Sequence, residues 1–399
     1  MIGRKRVAIV HRYFWPQNYP YASMLKEIAE SLVAGGAHVS IYTTFSEANG
    51  EDAIRSSWIE KSTVNIHSTN LPSERGASIL KKTINAIWFA FWVSCKLLFN
   101  KHEVVVVATT PPVVIAFLVS VLSKVKGFRV VYHCQDIHPE SLYINNSLSS
   151  IFLYKLLLYM DFFTIRNAWQ VIVLSADMKR TLVDRGYSGT NIRVVNNFIF
   201  QSYKESASPA GIEKSKNKVR FIFAGSLGRF QNLDVLIKGI EKFSSRNDLE
   251  FLFLGDGPMK AKIQLYSQSQ GLKNVTFIPH VSTVEALKYM SQSDVGLVSV
   301  SAGITKVAYP SKSIMYMSVG LPLLAVLDTD SELSKLLESN GLGVSVEPNV
   351  ADVEKGINQL VAKLKGKEFN RTKIKAFTKD SFGKSVILEK LNKVILSDS

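Results

Sequence analysis

The chain alternates short apolar runs with longer amphipathic stretches. RVAIV at 6–10 is an unbroken apolar run of the kind a doubly covered parallel strand needs. Pro16, Asn18 and Pro20 then mark a loop. Met24, Leu25, Ile28, Ala29, Leu32 and Val33 follow at helical spacing, and Gly35-Gly36 ends the helix. Val39–Thr43 completes a strand-helix-strand unit. The same grammar predicts strands at Val104–Ala108, Phe128–His133, Gln170–Leu174 and Ile192–Val195, with helices over 113–123 and from Ser175. It restarts at Val219–Ala224 and continues through Leu249–Leu254, Val275–Ile278, Val295–Val300 and Leu323–Val326. Strands alternating with helices predict parallel sheets covered on both faces.

Residues 201–218 break the pattern. QSYKESASPAGIEKSKNK is polar and poor in bulky apolar side chains, which marks a linker. The expected class is therefore α/β, with two doubly wound Rossmann-like domains. The first spans 1–205 and the second 206–375. A C-terminal helix within 376–399 is free to pack back on the first domain. In such sheets ligands bind beyond the carboxyl ends of the strands, so the cleft between two such domains is the expected site.

Composition adds little to the fold but narrows the partners. The 399 residues are 46% hydrophobic and 20% charged, a globular balance. A net charge of +15 favours anionic partners. Nucleic acid is not among those expected, since no Cys/His finger or long Lys/Arg block occurs. Cys95 and Cys134 stand far apart in apolar runs, which suits a reducing compartment. The start MIGRKRVAIVHRYF lacks the apolar core of a signal peptide, so a cytoplasmic protein is expected. The run INAIWFAFWVSCKLLF at 84–99 is interrupted by Asn85 and Lys96 and falls short of the ~20 residues of a span. It reads as a buried helix or, with Lys81, Lys82, Lys96 and Lys101 around its aromatics, as a membrane-surface helix.

Chemistry is sought in the loops after strands. Gly225-Ser226-Leu227-Gly228-Arg229 follows Val219–Ala224 and opens a helix. Glycines there let backbone N–H groups approach a phosphate, and Arg229 adds charge. Gly255-Asp256-Gly257-Pro258 recurs at the end of the next strand. Tyr309-Pro310-Ser311-Lys312 precedes another helical run; Ser311 can cap it, and Lys312 in its first turn is unfavourable unless an anion lies nearby. Asp136, His138 and Glu140 follow a predicted strand of the first half. Asp328-Thr329-Asp330 is explained by turn and capping chemistry. No histidine set has zinc spacing, and no G-x-S-x-G elbow occurs.

The order of these segments resembles family 4 GT-B glycosyltransferases. FAGSLGRF, LGDGP, VTFIPHV, SDVGLVSV and YPSKSIMYMSVGLPLLAV are similar to that family's donor half. HRYFWPQNYPYASMLKEIAESLVAGGAHVSIYT resembles the opening of its acceptor half, and SADMKRTLVDRGY with IRVVNNF the region before the linker. HCQDIHPESL is similar to a segment of members that build bacterial surface polysaccharides such as O-antigen, capsule and exopolysaccharide.

The resemblance implies retaining transfer from a nucleoside-diphosphate sugar, UDP-linked in this reading, with no essential metal or cofactor. It places Gly225, Gly228 and Arg229 around the diphosphate and Lys312 against phosphate or sugar. Ser226, Gln231, Gly255, Asp256, Gly257, Ile278 and Ser311 complete the donor side. Tyr19, His138 and Glu140 face the acceptor, a lipid-linked saccharide at the inner face of the plasma membrane. Arg229, Lys312 and Asp136 are the catalytic candidates. The chain departs from the family where a glycine pair is common (Asn18–Ala22), where two glutamates are common (Val307, Met315), and where a lysine is common (Gln231, Asn232). A catalytically silent sugar-nucleotide-binding subunit and a sugar-nucleotide 2-epimerase are the alternative functions.

Overall fold

A computed structural model describes residues 5–17, 20–45, 58, 60, 62–71, 78–108, 113–138, 140, 150–199 and 217–397. The chain forms two compact units. Unit 1 is Met1–Asn196 with Ile387–Ser399, and unit 2 is Asn197–Val386. Among the described residues, 197–199 and 376–386 cluster with the second unit. The linker predicted over 201–218 lies almost wholly outside the described residues.

Unit 1 carries strands β1 (Arg6–Val10), β2 (His38–Phe45), β3 (Asn65–Asn70), β4 (Val104–Ala108), β5 (Arg129–Cys134), β6 (Gln170–Val173) and β7 (Ile192–Val194). Its described helices are α1 (Pro20–Ala34), α2 (Ile79–Phe99), α3 (Val114–Lys126), α4 (Ile151–Asn167) and α5 (Ala176–Asp184). The strands lie in the order β3-β2-β1-β4-β5-β6-β7, all parallel. Val104–Ala108 is buried along its whole length, as its continuous apolar run requires. Ser175 caps α5 by accepting from the Met178 amide, as expected from its position.

Unit 2 repeats the plan. Strands β8 (Val219–Ala224), β9 (Leu249–Leu254), β10 (Val275–Ile278), β11 (Val295–Ser299), β12 (Leu323–Val326) and β13 (Gly343–Val346) lie in the order β10-β9-β8-β11-β12-β13, all parallel. Helices α6 (Leu233–Glu241), α7 (Lys260–Ser269), α8 (Thr283–Ser291), α9 (Lys312–Ser318), α10 (Glu332–Ser339), α11 (Val350–Lys365) and α12 (Arg371–Phe382) cover it. Phe221 stacks on Phe251, and Phe253 on both Phe223 and Phe277, so cross-strand aromatic pairs fill one face. Arg220 is wholly buried, and its guanidinium donates to Glu250 at 2.7 Å.

The last helix, α13 (Lys384–Leu396), packs on unit 1 at its C-terminal end. Asn392 bonds Ser31 of α1, and the Lys5 ammonium donates to the Leu396 and Ser397 carbonyls. Two strands escaped the sequence pattern. NIHSTN of β3 is a polar, half-exposed edge strand, and GVSV of β13 is short and starts on glycine. Edge strands bury only one face and lose the continuous apolar signal.

Both strand orders reverse once, between β1 and β4 and between β8 and β11. In parallel sheets this switch point opens a crevice beyond the carboxyl ends of the strands. Close helix packing supports the second sheet. A Cβ on Gly239 of α6 would lie 2.3 Å from the Val353 Cγ1 of α11. We expect Gly239→Ala to lower the unfolding free energy by about 1–3 kcal/mol, read from chemical denaturation, because the neighbouring helix must move to admit a methyl group.

Candidate active site

At the switch point of unit 2 the loop after β8 is held in place by backbone contacts. Gly225 sits at φ +121°, where a side chain is strained. The loop after β9 presses directly on it. A Cβ on Gly255 would lie 2.1 Å from the Gly225 carbonyl oxygen, and one on Gly257 2.5 Å from that of Leu227. The Leu227 amide donates to the Asp256 carbonyl at 2.8 Å, and the Met259 amide to the Leu227 carbonyl at 3.0 Å. Gly255 and Gly257 therefore have a packing role of their own, which the turn pattern alone did not reveal. Gly228 differs. The nearest atom to a Cβ there is Ser226 Oγ at 3.5 Å, an ordinary contact, so the protein's own packing does not require glycine at 228.

A short helical turn, Arg229–Gln231, follows, and Asn232 takes a left-handed conformation before α6. Arg229 is exposed. Lys312 reaches this loop from the first turn of α9. Its Nζ donates to Gln231 Oε1 at 3.0 Å, approaches the Ser226 carbonyl at 3.5 Å and lies 3.8 Å from the centroid of Phe223. Burial lowers its pKa from 10.5 to about 7. Lys312 is thus no solvated surface lysine. The expectation for Ser311 is corrected: it stands at the N-cap but accepts no capping bond, because its backbone is already helical. Ser313 instead donates its hydroxyl to the Pro310 carbonyl.

Tyr316 was not foreseen. Strand β8 pairs with β11 only at Phe221–Val295 and Ile222–Gly296. Beyond that point the Tyr316 hydroxyl accepts from the Ala224 amide at 2.6 Å and lies 3.3 Å from the Ala224 carbonyl. Its ring occupies the space a Cβ on Gly296 would need, 2.6 Å from the tyrosine Cγ. The side chain splays the two strands where the Gly225 loop begins. The signal was present as a tyrosine one turn after Lys312, but only the sheet shows that it replaces a strand partner.

The remaining donor-side candidates have structural partners. The Ile278 carbonyl accepts from Gly255, and Asp256 accepts through its side chain from the Gly257 amide. Asp328 accepts from the Gly303 amide and the Thr305 hydroxyl, bracing the loop after β11, and Ser331 caps α10. Val307 is buried and Met315 half-buried. Two surface hollows of unit 2 lie elsewhere, beside edge strands β13 and β10.

At the carboxyl end of β5 in unit 1, buried imidazoles meet a tyrosine. Tyr21 of α1 bonds His133 Nδ1 through its hydroxyl at 2.6 Å, and the Gln135 amide lies 2.9 Å from His133 Nε2. The His11 ring, from the loop after β1, stands edge-on to Tyr21 at 5.2 Å. Burial depresses His11 to about 4, His133 to about 3 and His138 to about 4, so all three are neutral near pH 7. Asp136 follows, half-buried, its carboxyl pushed up to about 6 by burial. Glu140 is ion-paired with Arg185, which also bonds buried Asp161 at 3.1 Å. The Tyr132 hydroxyl donates to that same Asp161. Glu140 is therefore part of a structural ion network. Tyr19 lies outside the described residues. Among those residues no group of three His, Cys, Asp or Glu side chains could hold a metal ion.

Tyr316→Phe is expected to cost about 1–3 kcal/mol of stability, because the buried Ala224 amide would lose its partner. A thermal melt with an unchanged midpoint would show that β8 and β11 close without the hydroxyl.

The comparisons with known proteins divide within a few residues of the boundary between the two units. Residues 22–200 match the family described as Glycosyltransferase Family 4, and residues 205–376 match Glycosyl transferases group 1. The probable glycosyltransferase WbjE of Pseudomonas aeruginosa is 24% identical over 70% of this chain and 71% of its own length. WcaI of Escherichia coli (strain K12), named for colanic acid biosynthesis, is 23% identical over 64% of this chain and 65% of its own. Among solved structures, Anabaena HepE in complex with UDP superposes with a TM-score of 0.68 at 13% identity, covering 98% of this chain and 99% of that one. Two family matches in tandem, laid over two parallel sheets, show that the chain belongs to the family 4 glycosyltransferases and has the GT-B fold.

Proposed function

We propose that this glycosyltransferase moves a hexosyl or N-acetylhexosaminyl group from a UDP-sugar to a lipid-linked saccharide. The transfer retains the anomeric configuration and serves bacterial surface polysaccharide assembly at the inner face of the plasma membrane. The observation that carries the reading is the convergence of Lys312 on the Gly225–Gln231 loop at a strand-order reversal. A half-buried lysine whose pKa is depressed to about 7 is poorly solvated and gains from an anion. Gly228 leaves room for close backbone approach, and exposed Arg229 adds a second cation. WcaI, named for colanic acid biosynthesis, supports the polysaccharide context.

In the reaction the bond between the anomeric carbon and the leaving phosphate oxygen breaks. A bond from the acceptor hydroxyl oxygen forms on the same face, and the hydroxyl proton passes to the departing phosphate. Charge grows on the diphosphate, so fixed cations and N–H groups there stabilise the transition state. The reading needs no metal, because Arg229 and Lys312 supply positive charge; chelation with EDTA is expected to leave turnover unchanged. Asp136, with its carboxyl pushed up to about 6, is the base an inverting route would require.

The test is incubation with UDP-, GDP- and dTDP-sugars and a polyprenyl diphosphate saccharide, with NMR assignment of the product linkage. Retention is expected. Asp136→Asn is expected to leave measurable turnover, and Arg229→Ala to remove most of it. An inverted product together with complete loss in Asp136→Asn overturns the mechanism. Binding of a sugar nucleotide without turnover would favour a silent binding subunit, and an epimerised nucleotide sugar the 2-epimerase.

Lys312→Ala is expected to weaken donor binding or turnover by about 1.5–3 kcal/mol, the worth of one charge-assisted contact. The lysine also predicts a pH dependence. Between pH 10.5 and about 7 the folded chain binds fewer protons at Lys312 than the unfolded chain. Its contribution to stability therefore falls as pH drops through that window and levels off below it. A bound diphosphate raises the lysine pKa again. UDP binding at about pH 8 is thus expected to take up a proton, read by calorimetry in buffers of different ionisation enthalpy. Equal apparent enthalpies in all buffers would remove Lys312 from the anion site.

A further inference from the structure

We infer that unit 1 docks on an anionic phospholipid bilayer through the outer face of α2, α3 and α4, with α2 lying along the surface rather than crossing it. This deepens the membrane part of the proposed function, on which it rests, by naming the surface and the lipid charge it requires.

The three helices lie on one face of the sheet, with α3 packed between α2 and α4. Right-handed crossovers dictate this, since each returns the chain in the same direction along the strand order. An ordinary surface helix buries one stripe and turns polar side chains outward. Helix α2 does not. Ala86, Phe89, Ala90, Val93 and Leu97 are buried against unit 1. On the opposite side Ile84, Trp88, Phe91, Leu98 and Phe99 recur at helical spacing, with Trp88 52%, Phe91 60% and Phe99 88% exposed. Helix α4 repeats the arrangement with exposed Ile151, Phe152, Leu156, Tyr159 and Phe162, and Val121 and Val125 of α3 are exposed between them. The outward face is a band of large apolar side chains, far more than scattered surface residues explain.

Charge selects the occupant. The three helices carry six lysines (Lys81, Lys82, Lys96, Lys124, Lys126, Lys155) and Arg166. Their single carboxylate, Asp161, is buried and bonded to Arg185 and Tyr132. A second copy of this face would set the same cations against each other. An anionic lipid surface accepts all of them, because lysine stems lie along the apolar layer while their ammonium groups stay at the headgroups. Exposed tryptophan, tyrosine and phenylalanine suit the same interfacial layer. No described helix is long and apolar enough to cross a membrane.

The full chain is mixed with vesicles of phosphatidylcholine containing phosphatidylglycerol, or of phosphatidylcholine alone, at low and high salt, without donor or acceptor. Cosedimentation is expected only with phosphatidylglycerol and is expected to weaken at least tenfold at high salt. Lipids brominated along their chains should quench the tryptophan fluorescence. Trp88→Phe should keep binding but lose more than half of that quenching. The pair Trp88→Ser and Phe91→Ser should lower binding at least tenfold without shifting the melting midpoint, as both side chains are exposed. Lys81→Glu with Lys82→Glu should lower it as well and flatten the salt dependence. Equal binding to both vesicle types, full quenching in Trp88→Phe, or a dimer in sedimentation that the serine pair dissolves, would each overturn the inference. Turnover of a soluble saccharide acceptor is measured separately. Lost vesicle binding with intact transfer defeats only the docking, and bound but inactive protein defeats only the transferase reading.

Discussion

Unit 2 depends on one close approach, the backbone of the β9 loop against the backbone of the β8 loop. Two glycines make it possible, since a methyl group at 255 or 257 would overlap a carbonyl of the neighbouring loop. The contact is made by peptide groups rather than side chains, so it has little freedom to rearrange. It holds Gly225 in a left-handed conformation and turns the following residues outward. Everything proposed for the anion site inherits its geometry from this pair of loops.

A second constraint acts from the other side of the same loop. Tyr316 takes the hydrogen bonds that β11 would otherwise make to Ala224, and so keeps β8 and β11 apart at their carboxyl ends. The helix that carries this tyrosine also carries Lys312, four residues earlier and therefore on the same side. One short helix thus both opens the switch point and places a cation beside it. The energetic cost of burying that ammonium appears as its depressed pKa, which makes the site responsive to an anionic ligand.

Unit 1 handles polar burial differently. Its sheet ends in neutral imidazoles and a tyrosine, and buried Asp161 is held in a network with Arg185 and Glu140. Glu140 looked available in the sequence because it follows a strand, yet Arg185, 45 positions later, claims it. Its apolar outer face is the reverse of the usual pattern. The sequence allowed either a buried helix or a membrane-surface helix over 84–99; in the structure one stripe of it is buried and the other exposed.

The sequence by itself determined the alternation of strands and helices, the two-sheet architecture and the glycine-rich loop after β8. These follow from local periodicity and from residues whose backbone freedom is intrinsic. It missed β3, whose NIHSTN is polar, and β13, whose GVSV is short and starts on glycine, while edge strands β7 and β10 kept enough apolar residues to be read. Tertiary structure alone decided the role of Gly255 and Gly257, the failure of Ser311 to cap, the part played by Tyr316 and the engagement of Glu140. Apart from Ser311, whose own helical backbone decides the matter, each of these rests on groups far apart in the chain that meet only in the folded sheet. No local pattern records which carbonyl, amide or carboxylate a neighbouring strand will bring within 3 Å.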